Sequence, residues 1–247
     1  MTATEPRPPR NQDSWARPVD RLSTTATTSG TDTVTGKRVA GPVQGFGQMW
    51  QKTFKVRLDG VGLSPEQVVA HWKAGFPTFW PKGSRFYAPL SGIAPGEVAL
   101  LEIQPVPGSP VRMSTGVMVI YADSESFTFM TPEGHALSAW ITFSAFRDGD
   151  TTVAQAQALE RTSDPIVELT FTLGANRSND RFWEQTLGNL ATSLGVSSPT
   201  VSAQKVIVDP KRQWRHVRNL RHSPVLAMTI ATITAPIRLL RRRRPGA

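Results

Sequence analysis

Residues of the types that carry catalytic or metal chemistry are few in this chain. It contains no cysteine, which excludes a zinc–thiolate site and a cysteine nucleophile. Of its four histidines, only His71 and His135 fall in the central part of the sequence, so we expect no metal site and no cofactor. Glu133 and His135 share a Pro-Glu-Gly-His segment and could form an acid/base pair at the mouth of a pocket. The competing interpretation is a solvated turn without a catalytic role.

The segments that must position this pair begin with a strand and a helix. Residues 53–58 alternate between polar and apolar types, a period of two that predicts a strand with one buried face. Residues 64–67, Ser-Pro-Glu-Gln, then combine a capping serine, a proline suited to the first helical position and a glutamine able to complete the cap. A helix is therefore predicted from Ser64, and Pro77 should break or kink it.

Short apolar runs separated by turn residues follow. The runs are Val98–Ile103, Gly116–Ala122, Ser126–Thr131, Leu137–Phe146 and Val153–Glu160. The separators are rich in Pro, Gly, Asp and Ser, which favours hairpins. Consecutive strands are therefore expected to pair antiparallel.

Two helices are predicted after the last of these strands. The segment 163–165, Ser-Asp-Pro, indicates a helix start, although residues 170–172 fit a strand equally well. A longer helix is expected from about Asn179 to Leu194, because apolar residues recur there at helical spacing and Gly195 follows. Asp180 is interpreted as an acid that stabilises the first turn of this helix.

This order of elements, over about residues 45–196, resembles the helix-grip fold of START-type lipid-transfer proteins, birch-pollen-allergen-like proteins and polyketide cyclases. The resemblance implies an α+β domain in which a curved antiparallel sheet wraps around the C-terminal helix. Residues 127–136, an aromatic strand that runs into a Pro-Glu-Gly-His turn, also resemble a segment of an uncharacterised family of bacterial and plant domains of unknown function. That second resemblance implies no activity.

In the helix-grip fold a cavity lies between the sheet and the last helix. The resemblance therefore implies a pocket for a hydrophobic small molecule or lipid. Its implied wall residues are Trp72, Phe76, Phe79, Trp80, Trp140, Trp183 and Leu187. Spacing alone shows only that these side chains face inward, and plain core packing is the competing interpretation for each of them.

The flanks of the predicted domain, residues 43–200, differ from it in composition. Residues 1–42 are rich in Pro, Arg, Ser, Thr and Gly, which predicts a disordered arm. Residues 205–247 hold 11 cations and one acid, a net charge of +10, whereas residues 1–204 have a net charge of −1. The charge of +9 therefore belongs to the tail, residues 201–247, and a basic nucleic-acid groove across the domain is disfavoured.

The tail has the pattern of a membrane-binding segment. Cations recur at every third residue around Trp214, and an uncharged, partly apolar stretch of 15 residues follows, shorter than the roughly 20 needed to span a membrane. We predict that it lies in the interface of an anionic membrane. The assigned membrane residues are Trp214, Arg215, Arg218, Arg221, Leu226, Ile230, Ile233, Ile237, Arg241, Arg242, Arg243 and Arg244. A disordered tail that docks on the domain is the alternative.

Three hypotheses for the function result. The first is a domain that binds a hydrophobic small molecule or lipid at the cytoplasmic face of a membrane; the first residues lack the apolar run of a secretory signal. The second is a cyclase- or hydratase-type enzyme that uses Glu133 and His135 around the same cavity. The third, nucleic-acid binding through the final arginines, is disfavoured because phosphate binding does not need the apolar stripe.

Overall fold

The computed structural model of the chain describes residues 39–104 and 112–230. These residues form one antiparallel sheet of eight strands in the order β2-β3-β4-β5-β6-β7-β1-β8. The strands are β1 (Met49–Arg57), β2 (Arg85–Tyr87), β3 (Val98–Ile103), β4 (Met113–Ala122), β5 (Ser126–Met130), β6 (Leu137–Asp148), β7 (Thr151–Thr162) and β8 (Val201–Asp209). The five predicted strands from Val98 onward are β3 to β7, each paired with the next as expected.

The helices α1 (Pro65–Gly75), α2 (Pro165–Thr170) and α3 (Asn176–Ser193) accompany the sheet, and residues 224–230 at the end of the described part of the chain are also helical. The cap of α1 is complete, because Ser64 Oγ accepts a hydrogen bond from Gln67 N–H and Gln67 Oε1 accepts one from Ser64 N–H. Pro77 ends the α-helical run as predicted, and Phe76–Phe79 forms a short 3-10 turn, called the aromatic turn below. The curved sheet wraps around α3, so the predicted α+β helix-grip fold is confirmed.

The concave face of the sheet holds the main core. Period-two alternation directs Phe54 and Val56 of β1 and Phe143 of β6 to this face, where all three are buried. The α1 residues Val68 and Trp72 pack onto the same core. Helix α3 closes it from the other side with Leu187, among others.

Residues 201–209, which the sequence analysis assigned to the tail, form β8 and pair with β1 at the edge of the sheet. Most side chains of β8 are exposed, and Val206, Ile207 and Val208 follow one another without alternation. An edge strand with little buried surface lacks the period-two signal on which strand prediction depends. The folded unit therefore extends beyond residue 200.

The ends of the chain lie partly outside the described residues. The predicted disorder of the arm concerns mainly residues 1–38, which are not described. The last residues assigned to the arm do contact the domain, since Ala40 N–H donates to the Thr131 carbonyl at 2.8 Å. The membrane residues predicted beyond 230 also lie outside the described residues: Ile233, Ile237, Arg241, Arg242, Arg243 and Arg244. Within the described residues, no helix has the length and apolar composition needed to cross a membrane.

Candidate functional site

Aromatic side chains fill the interior between the sheet and the helices. Phe76 lies at the centre, with ring centroids of Phe127, Phe129 and Phe143 within 5.1–5.5 Å. The Trp72 ring contacts Phe143 edge-on at 5.2 Å. Trp72 and Phe76 are fully buried. These two predicted wall residues are therefore packed as core, the competing interpretation of the sequence.

The other predicted wall residues divide between the core and the surface. Leu187 is fully buried in the core, and Trp183 is half-buried with its ring 5.5 Å from Phe143. The prediction that Trp140 faces the cavity is wrong: its side chain is 39% exposed. Trp140 lies opposite Leu159 on the convex face, because its neighbours Ala139 and Ile141 point to the core and side chains alternate along a strand.

An open groove of about 900 Å³ runs between the aromatic turn and α3. Phe79 and Trp80 line one side with little exposed surface, 4% and 8%, and the half-buried Phe182 of α3 contacts Trp80 there, with ring centroids 4.9 Å apart. Asn189 of α3 donates to the Phe79 carbonyl at 2.9 Å and fixes the two walls to each other. The groove thus contains two of the seven predicted wall residues and adds Phe182.

The floor of the groove is the solvent-facing side of α3. Ser178, Gln185 and Ser193 lie on this side, and the helical rise makes the distance from the first to the last about 22 Å. The indole N–H of Trp80 is buried and has no hydrogen-bond acceptor among the described residues. A pocket of this size, with ring walls and a few polar groups, suits a drug-sized or lipid-sized molecule.

The Glu133 and His135 pair does not lie at this groove. His135 is buried, and its Nδ1 accepts a hydrogen bond from Leu137 N–H at 3.0 Å, so the ring stabilises its own turn. Glu133 lines a different cavity of about 400 Å³, together with His216 and His222 from the tail. The two residues are therefore not assembled as an acid/base pair at the groove.

The part of the tail that follows β8, Trp214–His222, is a 3-10 helix packed on the domain. It is called the docked segment below. A 3-10 helix has three residues per turn, so residues three apart form rows. One row, Arg215, Arg218 and Arg221, is exposed. A second row, His216, Asn219 and His222, lines the cavity that contains Glu133. The triplet pattern of the sequence therefore separates a cationic outer row from a polar inner row.

Hydrogen bonds attach the docked segment and the residues before it to the domain. Asn219 Nδ2 donates to the carbonyls of Gln44 and Ser163, both at 2.9 Å. The buried Arg161 guanidinium donates to the Lys211 carbonyl at 2.9 Å and pairs with the Asp209 carboxylate. The Lys211 N–H and Arg161 hold the pKa of Asp209 below its ordinary value.

The remaining described membrane residues are exposed beside this segment. Trp214 is 69% exposed, although the edge of its ring contacts Phe46 at 5.2 Å. Residues 224–230 are helical, and Leu226 and Ile230, four residues apart, are both exposed. An exposed apolar pair one helical turn apart lies next in the chain to the arginine row.

Burial lowers the pKa of His216, and the nearby Arg215 lowers it further. A hydrogen bond with the Val43 backbone raises this pKa by a smaller amount, and Arg161 lowers it slightly. The net lowering favours the neutral imidazole in the docked segment.

A charged cluster at the other end of the concave face was not predicted from the sequence. It consists of Lys52, Glu160, Asp180 and Lys205. Lys52 is fully buried, with its Nζ 2.7 Å from Glu160 and 2.8 Å from Asp180. Asp180 uses its other oxygen for Lys205, at 2.6 Å. Asp180 is thus a buried ion-pair partner and not only the first-turn helix acid that was expected.

The positive and negative charges of this cluster balance each other, and its ion pairs orient α3. Lys52 and Lys205 stand directly opposite each other on β1 and β8, an arrangement that is unfavourable for like charges. Asp180 bridges them, and Glu160 supplies the second negative charge. Burial lowers the pKa of Lys52, but Glu160 and Asp180 together outweigh burial and raise it above its ordinary value. Lys52 therefore stays charged.

Several solved structures resemble this fold at low sequence identity. The KanY protein (ms6282) is 12% identical with a TM-score of 0.44, and the match covers 61% of this chain and 99% of KanY. The di-domain ARO/CYC StfQ from the steffimycin biosynthetic pathway is 9% identical with a TM-score of 0.44, covering 59% of this chain and 50% of StfQ. Ara h 8.0201 is 9% identical with a TM-score of 0.41, covering 58% of this chain and 97% of that protein.

No protein-family model matches the sequence, and no curated protein matches it. The resemblance of residues 127–136 to domains of unknown function stays a prediction. At these identities and TM-scores, no ligand, activity or partner of the similar structures transfers to this chain.

Proposed function

We propose that this protein binds a hydrophobic or amphipathic small molecule in the groove between the aromatic turn and α3. The observation that carries the proposal is the contrast between a tightly packed aromatic interior and an open groove of about 900 Å³ walled by Phe79, Trp80 and Phe182. The half-buried Phe182 ring offers apolar contact area, and the groove is long enough for an extended molecule.

Nile red, an uncharged dye whose fluorescence rises in apolar surroundings, tests the groove on the full chain. Gln185→Trp places a large ring on the groove floor and is expected to weaken dye binding about tenfold or more, equivalent to at least about 1.4 kcal/mol. Arg177→Trp is the matched control, since Arg177 is exposed on the same helix but does not line the groove. Equal dye affinity in both variants would contradict binding in the groove.

The second part of the proposal concerns the tail, which holds the protein at an anionic membrane surface. It is supported by the exposed row Arg215, Arg218 and Arg221, with the exposed Trp214 beside it and the apolar pair Leu226 and Ile230 next in the chain. The arginines would lie among the head groups, and the apolar side chains would enter the interface. Such a location corresponds to the cytoplasmic face of the membrane.

Co-sedimentation with vesicles of phosphatidylserine and phosphatidylcholine tests this part. Each cation near an anionic surface contributes about 1 kcal/mol, so replacing the three arginines of the row by Gln should weaken binding about a hundredfold. The matched control replaces three exposed arginines elsewhere, Arg85, Arg147 and Arg177, by Gln. An equal loss in both triple variants would indicate a response to net charge alone and would contradict a role of the row.

An enzyme that uses Glu133 and His135 around the groove is not favoured, because Glu133 lines a separate cavity and the His135 ring is bonded to Leu137. Nucleic-acid binding is tested by measuring the affinity of the full chain for DNA alongside the vesicle experiment. DNA binding that persists when Leu226 and Ile230 are replaced by Ser, together with no binding to vesicles, would favour a nucleic-acid partner over the membrane.

A further inference from the structure

The charges around the groove are of one sign. Two cations, Lys82 and Arg181, line it, and none of the described residues that line it is acidic. Both cations are exposed, and neither forms an ion pair with any described residue. A groove with unpaired cations and no acid attracts a negatively charged group.

Both cations are neighbours in sequence of one ring pair. Lys82 follows two residues after Trp80, and Arg181 directly precedes Phe182, while the Trp80 and Phe182 ring centroids are 4.9 Å apart. The ring contact therefore brings the backbone at both cations to the same part of the groove.

The Trp80 indole adds a hydrogen-bond donor at this position. Its Nε1 is buried in a side chain that is 8% exposed, and it has no acceptor among the described residues. A buried donor without a partner is rare in folded proteins. The Trp72 Nε1 in the core is also buried without a partner, so the Trp80 N–H can donate to a ligand oxygen but does not require one.

We infer that the ligand of this groove is an acidic amphiphile, with its carboxylate or phosphate between Lys82 and Arg181 and its apolar part along Phe79, Trp80 and Phe182. This inference rests on the proposed function of the groove. It adds the charge of the ligand and its direction in the groove, with the head at the end near the start of α3.

Calorimetric titration of the full chain with decanoic acid, decyl phosphate, decanol and decylamine tests the inference. The four probes share one alkyl chain, so differences in affinity report on the head group. Both acids are expected to bind about tenfold more tightly than decanol, and decylamine more weakly than decanol. The tighter of the two acids identifies the head group, and either order supports the inference.

Variants separate the groove from the cationic tail. The double variant Lys82→Gln and Arg181→Gln should lower the affinity for the acids about tenfold and leave that for decanol unchanged. Arg147→Gln is the control, because it removes an exposed arginine of β6, outside the groove, and should leave all four affinities unchanged.

Three results would overturn the inference, in distinguishable ways. If decanol and the acids bind equally, the groove binds amphiphiles but does not select for charge. If the preference for the acids survives in the double variant, the anion is held elsewhere, for example by the tail. If none of the four probes binds, the proposed function of the groove fails as well.

Discussion

The two ends of the concave face of the sheet are filled by opposite chemistry. At one end, rings of Trp72, Phe76 and Phe143 pack edge to face and need no partner from outside. At the other end, Lys52 and Asp180 are buried as part of a charged cluster that balances its own charge. Rings fill space without directional bonds, whereas ion pairs fix the position of the groups that they join.

Helix α3 connects the two ends, and this connection bears on the groove. Asp180 is held by two lysines, and the next two residues, Arg181 and Phe182, line the groove. The charged cluster therefore fixes the turn of α3 from which the groove residues project. The aromatic end supplies the opposite wall through Phe79 and Trp80. Two substitutions and two pH experiments test this contrast.

The largest effect is expected at the aromatic end. Phe76→Ala removes a fully buried ring that five neighbouring aromatic rings surround, and should lower the free energy of unfolding by about 3–5 kcal/mol. Urea unfolding at several pH values measures it. The loss should be the same at each pH, since no titratable group takes part. A loss below about 1 kcal/mol would contradict a tightly packed interior.

At the charged end, Lys52→Met should cost about 3 kcal/mol at neutral pH, because it leaves Glu160 and Asp180 buried with one cation fewer. Lys55→Met is the matched control on the same strand, since Lys55 faces the other side and lies 5.4 Å from the Phe146 ring. The control should cost less than about 1 kcal/mol. Equal losses in the two variants would show that the buried ion pairs do not hold α3.

Alkaline pH should remove the stability contribution of the charged end but not that of the aromatic end. The pKa of Lys52 is raised in the folded protein, so its contribution to stability is complete below the ordinary value of 10.5 and is lost as the pH rises through the folded value. The wild-type protein and Phe76→Ala should both show this alkaline loss in urea unfolding, and Lys52→Met should lack the part due to Lys52. The same alkaline slope in all three proteins would argue against the cluster.

The smallest effect concerns the docked segment, where burial and the neighbouring arginines both disfavour a charged His216. Because the pKa of His216 is lowered, docking is complete above the ordinary value of 6.5 and weakens as the pH falls below it. Amide exchange of residues 214–222, corrected for the intrinsic pH dependence, should show lower protection at about pH 5 than at about pH 7.5. His216→Gln should show no such change, and protection that is independent of pH in the wild type would refute the prediction.

Much of the fold could be predicted because its signals are local. The cap at Ser64, the break at Pro77 and the end of α3 before Gly195, whose φ is +96°, each depend on a few neighbouring residues. The strands β3 to β7 are bounded by turn residues, and three of them, β3, β6 and β7, alternate over part of their length toward a buried face. Strand β8 was missed because an exposed edge strand carries no such pattern.

The site was predicted less completely because it depends on contacts between distant segments. The sequence predicted that Phe79 and Trp80 face inward but could not distinguish a groove wall from a packed core. Trp72 and Trp140, both predicted to line a cavity, lie in the packed core and on the exposed face of the sheet, respectively. One signal for the charged cluster existed: Lys52 is in phase with Phe54 and Val56 on the buried face of β1. Its partner Asp180 is 128 residues away along the chain, so only the fold shows the pair.

Native mass spectrometry of the full chain purified from its own host shows whether the groove holds an amphipathic molecule. We expect a bound hydrophobic compound in the wild type and in Arg177→Trp, and its absence in Gln185→Trp, because only Gln185 lies on the groove floor. A wild-type protein without any bound compound, or the same compound retained in Gln185→Trp, would contradict this expectation.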